Sequence, residues 1–297
     1  MVSVTVDQNE WAEHWWPAPA KLNLMLNVIG QRADGYHELQ TVFQIIAISD
    51  WLNIVPTDHN DVTLSCRSAD IKMDENLVLK AAQLLKQRSG SKSGAHITLK
   101  KILPMGAGLG GGSSDAATTL VVLNEVWGLG LSVEQLAVLG LELGADVPVF
   151  VKGCSAWAEG VGEKVTPIEL PEKWFVVVNT DYHCSTREVF THKHLTRVNS
   201  AITIRDFLNG QENNSCLPVV RQMSQELDDV YRRFSVFSKV YLTGTGSSMF
   251  AKCNTRQEAV SLSDQLPVDW NKWVVKGVNE SPLQKSLKQF FNRVNQV

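Results

Sequence analysis

Residues 104–118, Pro-Met-Gly-Ala-Gly-Leu-Gly-Gly-Gly-Ser-Ser-Asp-Ala-Ala-Thr, constrain this chain more than any other segment. Five of the seven residues from Gly106 to Gly112 are glycine. A backbone without Cβ atoms reaches positive φ and lets a ligand approach closely. The apolar run that follows, 113–127, predicts a mostly buried helix. The first turn of such a helix leaves N–H groups unpaired at the positive end of its dipole. Loop and helix start together make an anion site, and phosphate is its natural occupant. Ser113 and Ser114 add hydroxyl donors or a metal-facing oxygen. A flexible surface turn is the plain alternative, but such a turn rarely sets so many glycines against an apolar helix.

Several nucleotide folds are excluded by detail. A P-loop needs lysine where Gly112 stands. Gly106, Gly108 and Gly111 satisfy the dinucleotide pattern GxGxxG, yet the acid expected ~20 residues on is missing. Glu125 is nearest, and it falls inside the predicted helix. The protein-kinase HRD and DFG motifs are absent. With 28 Lys and Arg against 31 Asp and Glu, the net charge of −3 lacks the basic excess of a nucleic-acid binder. No apolar run reaches the ~18 residues of a membrane span. Asp7, Glu10 and Glu13 interrupt the opening segment, so no signal peptide is expected. Cys66, Cys154, Cys184, Cys216 and Cys253 are scattered and form no CxxC. A reduced, cytoplasmic enzyme is the expectation.

At 297 residues, two domains are expected, divided near residue 165 into 1–165 and 166–297. Leu22, Leu24, Leu26 and Val28 alternate with Lys21, Asn23, Met25 and Asn27, the period of a half-buried strand. Asp34-Gly35 marks a turn before a strand at 41–48. Helices are predicted at 76–88, capped by Asn76, and at 132–143, capped by Ser132 and stopped by Gly144. Strands are predicted at 95–103, 147–151, 154–158, 174–178, 239–242, 249–251 and 273–276. The class is α+β.

By position alone Lys21 reads as a solvated residue on the polar face of its strand. Asp146 follows Gly144, with Pro148 expected to keep Val147 extended. It reads either as a loop aspartate satisfying nearby N–H groups or as a fixed carboxylate at an element end. Tyr36 and His37 read as packed hairpin aromatics or as nucleobase contacts. The run Gly244-Thr245-Gly246 is a strand connection or a second glycine turn at a site. The segment Met1–Trp16, with three tryptophans, is given no function; it packs on the body or offers a partner surface.

The glycine loop resembles the phosphate loop of the GHMP kinases. Three further blocks, 19–41 (PAKLNLMLNVIGQRADGYHELQT), 143–151 (LGADVPVFV) and 242–251 (LTGTGSSMFA), are similar to one branch of that superfamily. That branch phosphorylates a cytidine-diphosphate-linked methylerythritol on its 2-hydroxyl in the non-mevalonate isoprenoid pathway. The resemblance implies a two-domain α+β GHMP kinase fold with its site between the domains. It also implies ATP as co-substrate, with Mg2+, and a small-molecule cytidylated acceptor. No nucleic-acid or membrane partner is implied, and the chain is expected as a monomer or homodimer. It makes Lys21 and Asp146 the catalytic pair. Nucleotide binding is carried to Pro104, Met105, Gly106, Ala107, Gly108, Leu109, Gly110, Gly111, Gly112, Ser113 and Ser114. Asn76, Lys101 and Asp115 join that set, with Asp115 standing where relatives carry asparagine. Acceptor binding is carried to Asn23, Tyr36, His37, Thr186 and Phe190, with Phe190 as the wall opposing the aromatic pair. No metal ligands are implied. Another small-alcohol GHMP kinase is the rival enzyme, and a nucleotide-binding regulator without catalysis is the rival from another class.

Overall fold

The computed structural model describes residues 8–66, 75–180 and 182–294. Residues 1–7 of the N-terminal extension therefore lie outside the described residues. The first half runs α1 (Gln8–Glu13), β1 (Trp16–Gln31), β2 (His37–Thr57), β3 (Val62–Cys66), α2 (Leu77–Ser89) and β4 (Gly94–Lys100). It continues through α3 (Gly111–Val126), α4 (Val133–Leu143), α5 (Val147–Lys152), β5 (Ala156–Gly160) and β6 (Lys164–Pro167). The second half holds β7 (Trp174–Asn179), α6 (Thr186–Thr191), α7 (Ile204–Leu208), α8 (Leu217–Met223) and α9 (Gln225–Ser235). It closes with β8 (Tyr241–Leu242), β9 (Met249–Cys253), α10 (Arg256–Gln265), β10 (Asn271–Val278) and α11 (Pro282–Val294).

β2 is the hub. Its β-branched and aromatic run pairs antiparallel with β1, β4 and β5. Through Ile45 and Ile46 it also meets Val278 and Gly277 of β10, which carries the sheet on to β7, β9 and β8. β1 threads three hydrophobic clusters. Trp16 and Ala18 enter the first with α2, α3 and α5. Ala20, Leu22, Leu24 and Met25 lie in a middle cluster. Leu26 and Val28 enter the cluster of the second half. This corrects the half-buried reading of β1: both of its faces are covered through Leu26. Lys21 and Asn23 are 2% and 3% exposed. Their face looks into an interior cleft and not to solvent.

The helix signals hold. Asn76 Oδ1 accepts from the Val78 amide at 2.9 Å, and Ser132 with Gln135 closes a capping box at the start of α4. The strand expected at 147–151 is instead the helix α5. Pro148 sits in its first turn, where the missing N–H costs nothing, and Gly153 ends it in the left-handed region at φ 63°. Val147 is therefore helical and not extended. α11 returns to the first cluster, where Leu283, Leu287 and Phe290 pack with Trp11 and Trp16. Among the described residues no helix is long and apolar enough to cross a membrane.

Candidate active site

A cleft of about 560 Å³ opens where β1, the loop before α3, the start of α5 and the turn 243–246 converge. The glycine loop forms one wall. Gly106, Gly108 and Gly110 take φ of 64°, 75° and 74°. A Cβ on Gly108 would sit 2.2 Å from the Thr243 carbonyl oxygen, so only glycine fits. The loop is tied on three sides. Leu109 O accepts from the Lys21 amide at 3.0 Å, and Ala107 O accepts from the Ser248 amide at 3.1 Å. Gly108 O accepts from Thr243 Oγ1 at 2.9 Å. α3 starts at Gly111, behind an N-cap glycine that offers no side-chain partner. Its first N–H groups are left for an anion.

Facing the loop is Lys21. Register shifts between Pro19 and Ala20 and between Asn23 and Met25 flank it. Its ammonium donates to Asn23 Oδ1 at 2.5 Å and to Gly108 O at 3.0 Å. It also lies 3.2 Å from Asp146 Oδ2, whose side chain is 34% exposed. Asp146 stands at the N-terminus of α5 and makes no capping hydrogen bond. Its carboxylate is left for Lys21 and the cleft. Asn23 is fixed from both sides: its Nδ2 donates to Thr41 Oγ1 at 2.8 Å and its backbone N–H to Thr243 Oγ1 at 3.0 Å. A buried, fully hydrogen-bonded lysine holding one partly open carboxylate is an arrangement suited to moving a proton from an alcohol.

A second charged group lies behind the loop. Asp50, fully buried in β2, accepts from the Lys101 ammonium and from the Leu103 amide at 2.8 Å. Lys101 also reaches Asp115 Oδ2 at 2.7 Å. Burial drives the Asp115 carboxyl up to about 7, with Lys101 pulling it down and Asp50 pushing it up. Burial works against the Lys101 charge, but its two carboxylates outweigh burial and raise it.

Most sequence-predicted residues line this one cleft. Lys21, Asn23, Asn76, Lys101, Pro104 to Gly108, Gly110 to Ser113, Asp115, Asp146, Thr186 and Phe190 all do. Leu109 and Ser114 are buried behind it. The Ser114 hydroxyl has no protein hydrogen-bond partner among the described residues. Tyr36 is 65% exposed at the β1–β2 hairpin and is not among the lining residues. His37 is buried and stacks on Phe190, with ring centroids 5.0 Å apart. His37 and Phe190 thus form one layer, with Phe190 the ring of the two that meets the cleft. Burial, then the Arg197 charge, hold the His37 ring below its usual pKa, and its Nε2 has no partner among the described residues. The turn Gly244–Gly246 does reach the site, where Thr245 Oγ1 lies 3.1 Å from Thr186 Oγ1. Sequence reading missed Asp50, Thr41, Phe43, Thr243 and Val161. For Asp50 the signal was an acid inside an apolar strand. No group of three or more His, Cys, Asp or Glu side chains is placed to hold a metal among the described residues.

Comparison with known proteins agrees with this geometry. Residues 76–154 match the family described as GHMP kinases N terminal domain. A 4-diphosphocytidyl-2-C-methyl-D-erythritol kinase of Nitrosococcus oceani is 48% identical over 274 residues, 92% of this chain and 98% of that protein. A crystal structure of 4-(cytidine 5'-diphospho)-2C-methyl-D-erythritol kinase superposes with a TM-score of 0.79 at 31% identity, covering 90% of this chain and 100% of the other. A mevalonate kinase structure, 14% identical with a TM-score of 0.66, covers 90% of this chain and 100% of that one and shares the fold. On this similarity along nearly its whole length, the chain belongs to the 4-diphosphocytidyl-2-C-methyl-D-erythritol kinase family of the GHMP kinases.

Proposed function

We propose that this chain transfers the γ-phosphoryl group of ATP to the 2-hydroxyl of 4-diphosphocytidyl-2-C-methyl-D-erythritol. The products are the 2-phosphate and ADP, a step toward isoprenoid precursors by the non-mevalonate route. The observation that carries this reading is the Lys21–Asp146 pair, 3.2 Å apart in the same cleft as the glycine loop.

Phosphoryl transfer is mainly positioning and charge stabilisation. Backbone N–H groups of the loop and the start of α3 hold the phosphates of ATP, with Asn76, Lys101 and Asp115 on the nucleotide side. Asn23, Thr186 and Phe190 take the acceptor, with His37 supporting Phe190. Tyr36, exposed on the hairpin next to His37, joins that set as a ring open to stacking on the base. Asp146 accepts the hydroxyl proton while the Lys21 ammonium, 3.2 Å from it, favours the developing alkoxide. The acceptor oxygen bonds to the γ-phosphorus, the bond from phosphorus to the β,γ-bridging oxygen breaks, and ADP departs. The proton on Asp146 leaves through the exposed part of its carboxyl.

Mg2+ needs only one or two protein ligands when substrate phosphates supply the rest. The Ser113 hydroxyl at the cleft wall fits that donor set. Bound there, the ion would neutralise phosphate charge. We divide the chain into a nucleotide-side body, 1–165, and an acceptor-side body, 166–297, with α11 crossing back to the first. The five free cysteines support a reducing, cytoplasmic setting.

The test is a substrate panel of cytidylated, uridylated and bare methylerythritol, with the product located by phosphorus NMR. The cytidylated alcohol is expected to be phosphorylated far the best, at C2. Equal efficiency on the bare alcohol would replace this reading with a general small-alcohol GHMP kinase.

A further inference from the structure

Arg197 takes no part in the catalytic scheme above, yet it closes the end of α6. That helix is six residues long, and Thr186 and Phe190, one turn apart on it, both line the cleft. Its start is capped by Ser185, whose Oγ accepts from the Glu188 amide at 3.3 Å. At the other end His192 leaves the helix at φ −63° and ψ 136°. The Phe190 carbonyl is among the last ones, which find no partner inside a helix. Arg197 supplies a partner: its Nη2 donates to Phe190 O at 3.3 Å and to His192 O at 2.8 Å. A basic side chain on the final carbonyls is both a donor and a favourable charge. Arg197 is itself fixed on either side. Leu195 is buried in the core of the second half. Asn199 donates twice to Val28 O, from its backbone N at 3.1 Å and from Nδ2 at 2.8 Å. Val28 pairs with Leu39 in the β1–β2 register, close to His37 at the start of β2. One guanidinium thus ties the helix that carries Phe190 to a segment seated on the hairpin that carries His37.

We infer that Arg197 is a positioning residue for the acceptor, fixing the last turn of α6 so that the Phe190 ring stays stacked on His37 and turned to the cleft. This rests on the acceptor side assigned under the proposed function. A helix this short does not hold itself, and fraying falls on its terminal turn. Phe190 is the last residue but one of α6. The first turn has its own tie, Thr186 Oγ1 to Thr245 Oγ1 at 3.1 Å. The last turn is held by the fully buried Val189 on the core side and by the two bonds from Arg197. Losing those bonds leaves the ring on a freed helix end, still present but no longer aimed. The guanidinium also acts on His37: after burial, its charge is the second cause that keeps that ring below its usual pKa. A neutral His37 stacks on Phe190 without placing a second positive charge beside Arg197.

The experiment measures kcat and both KM values, for cytidine-diphosphate-linked methylerythritol and for ATP, in wild type, Arg197→Met, Arg197→Lys, Phe190→Ala and the double variant of Phe190→Ala with Arg197→Met. Calorimetric binding of cytidine diphosphate gives a readout besides turnover. A misaimed ring costs less than the roughly 10–100-fold of a lost base stack. Arg197→Met should therefore raise the acceptor KM and the cytidine diphosphate Kd by roughly 3–10-fold, with kcat and the ATP KM near wild type. Both bonds leave from one nitrogen, so an ammonium can serve them in part. Arg197→Lys should show the same split at a smaller factor, roughly twofold, and it carries the test if Arg197→Met does not fold. In the Phe190→Ala background Arg197→Met should add less than about twofold, because the ring through which it acts is gone. A purely structural role would change the constants of both substrates together, or act by the same factor in both backgrounds. Either result overturns the inference, and so does an unchanged acceptor KM in Arg197→Met. If wild type neither binds cytidine diphosphate nor phosphorylates the cytidylated alcohol, the substrate reading falls and this inference falls with it. Wild-type turnover of that alcohol with no split in Arg197→Met removes the inference alone.

Discussion

Replacing Gly108 by alanine puts the phosphate cradle under a graded test. Gly108 has φ 75°, and a Cβ there would stand 2.2 Å from the backbone oxygen of Thr243. Two costs combine. A non-glycine residue in the left-handed region costs ~1–2 kcal/mol. Restoring an ordinary contact requires the loop and the 243–246 turn to part by roughly 1 Å. Neither backbone gives cheaply, because Thr243 Oγ1 bonds Gly108 O at 2.9 Å and Lys21 bonds it at 3.0 Å. A misplacement of about 1 Å in a catalytic array costs up to ~100-fold. Gly108→Ala should therefore lower kcat/KM for ATP by roughly 10–100-fold. It should also lower the melting temperature by about 2–8 °C, at roughly 2–4 °C per kcal/mol for a chain of this order. Gly30→Ala, outside the cleft, is the internal control, since its Cβ would meet only the Glu38 side chain at 3.7 Å and its φ is not positive. It should leave both readings near wild type. Steady-state kinetics in ATP and thermal melts of the two variants decide the matter. Equal behaviour of the two would refute the close-approach argument.

Asp50→Asn should lower the melting temperature, because donors from Lys101, Ile102 and Leu103 converge on a carboxylate that an amide cannot match. Asp115 remains to neutralise Lys101, so the loss should stay below the ~3–5 kcal/mol of a broken buried pair; a larger loss in chemical denaturation contradicts this. Phe190→Ala should raise the acceptor KM by roughly 10–100-fold, the scale of a lost base stack of ~1–3 kcal/mol, with ATP KM unchanged. Parallel changes in both constants would place Phe190 outside the acceptor side. His14 packs on Trp16 and Phe290 and pairs with Ser286, and burial followed by the Arg293 charge lowers its pKa. The native state thus binds fewer protons than the unfolded state below about pH 6.5, so this contribution to stability is lost as pH falls. Tryptophan fluorescence should report loosening of α1 from α11 on acidification in wild type and less in His14→Phe; identical profiles would remove His14 as the cause.

Elements that carry local punctuation were legible in the sequence. The glycine loop, its helix, the Asn76 cap and the Ser132–Gly144 helix all follow from signals within a few residues. α5 was not, because Val-Pro-Val-Phe-Val has strand composition and a six-residue helix is too short to show a 3.6-residue period. The period of β1 correctly put Lys21 and Asn23 on one face. It could not tell that the face meets a cleft, since that depends on Gly108 and Thr243, more than 80 residues away. Asp50 finds its partner Lys101 across 51 residues, which no spacing rule reveals. Tyr36 and His37 are neighbours in sequence, yet one is exposed and the other buried, a split that follows the alternation of an extended chain.

The proposed catalytic role of Lys21 and Asp146 is tested most directly by the single-turnover rate of phosphoryl transfer in Asp146→Asn, measured beside its ATP affinity. The substitution keeps the side chain's shape and removes the carboxylate that lies 3.2 Å from Lys21. The rate should fall by ~10²–10⁴-fold, the range for a lost general base, while ATP affinity stays near that of wild type. A rate close to wild type would contradict the assignment of Asp146 as the group that receives the hydroxyl proton.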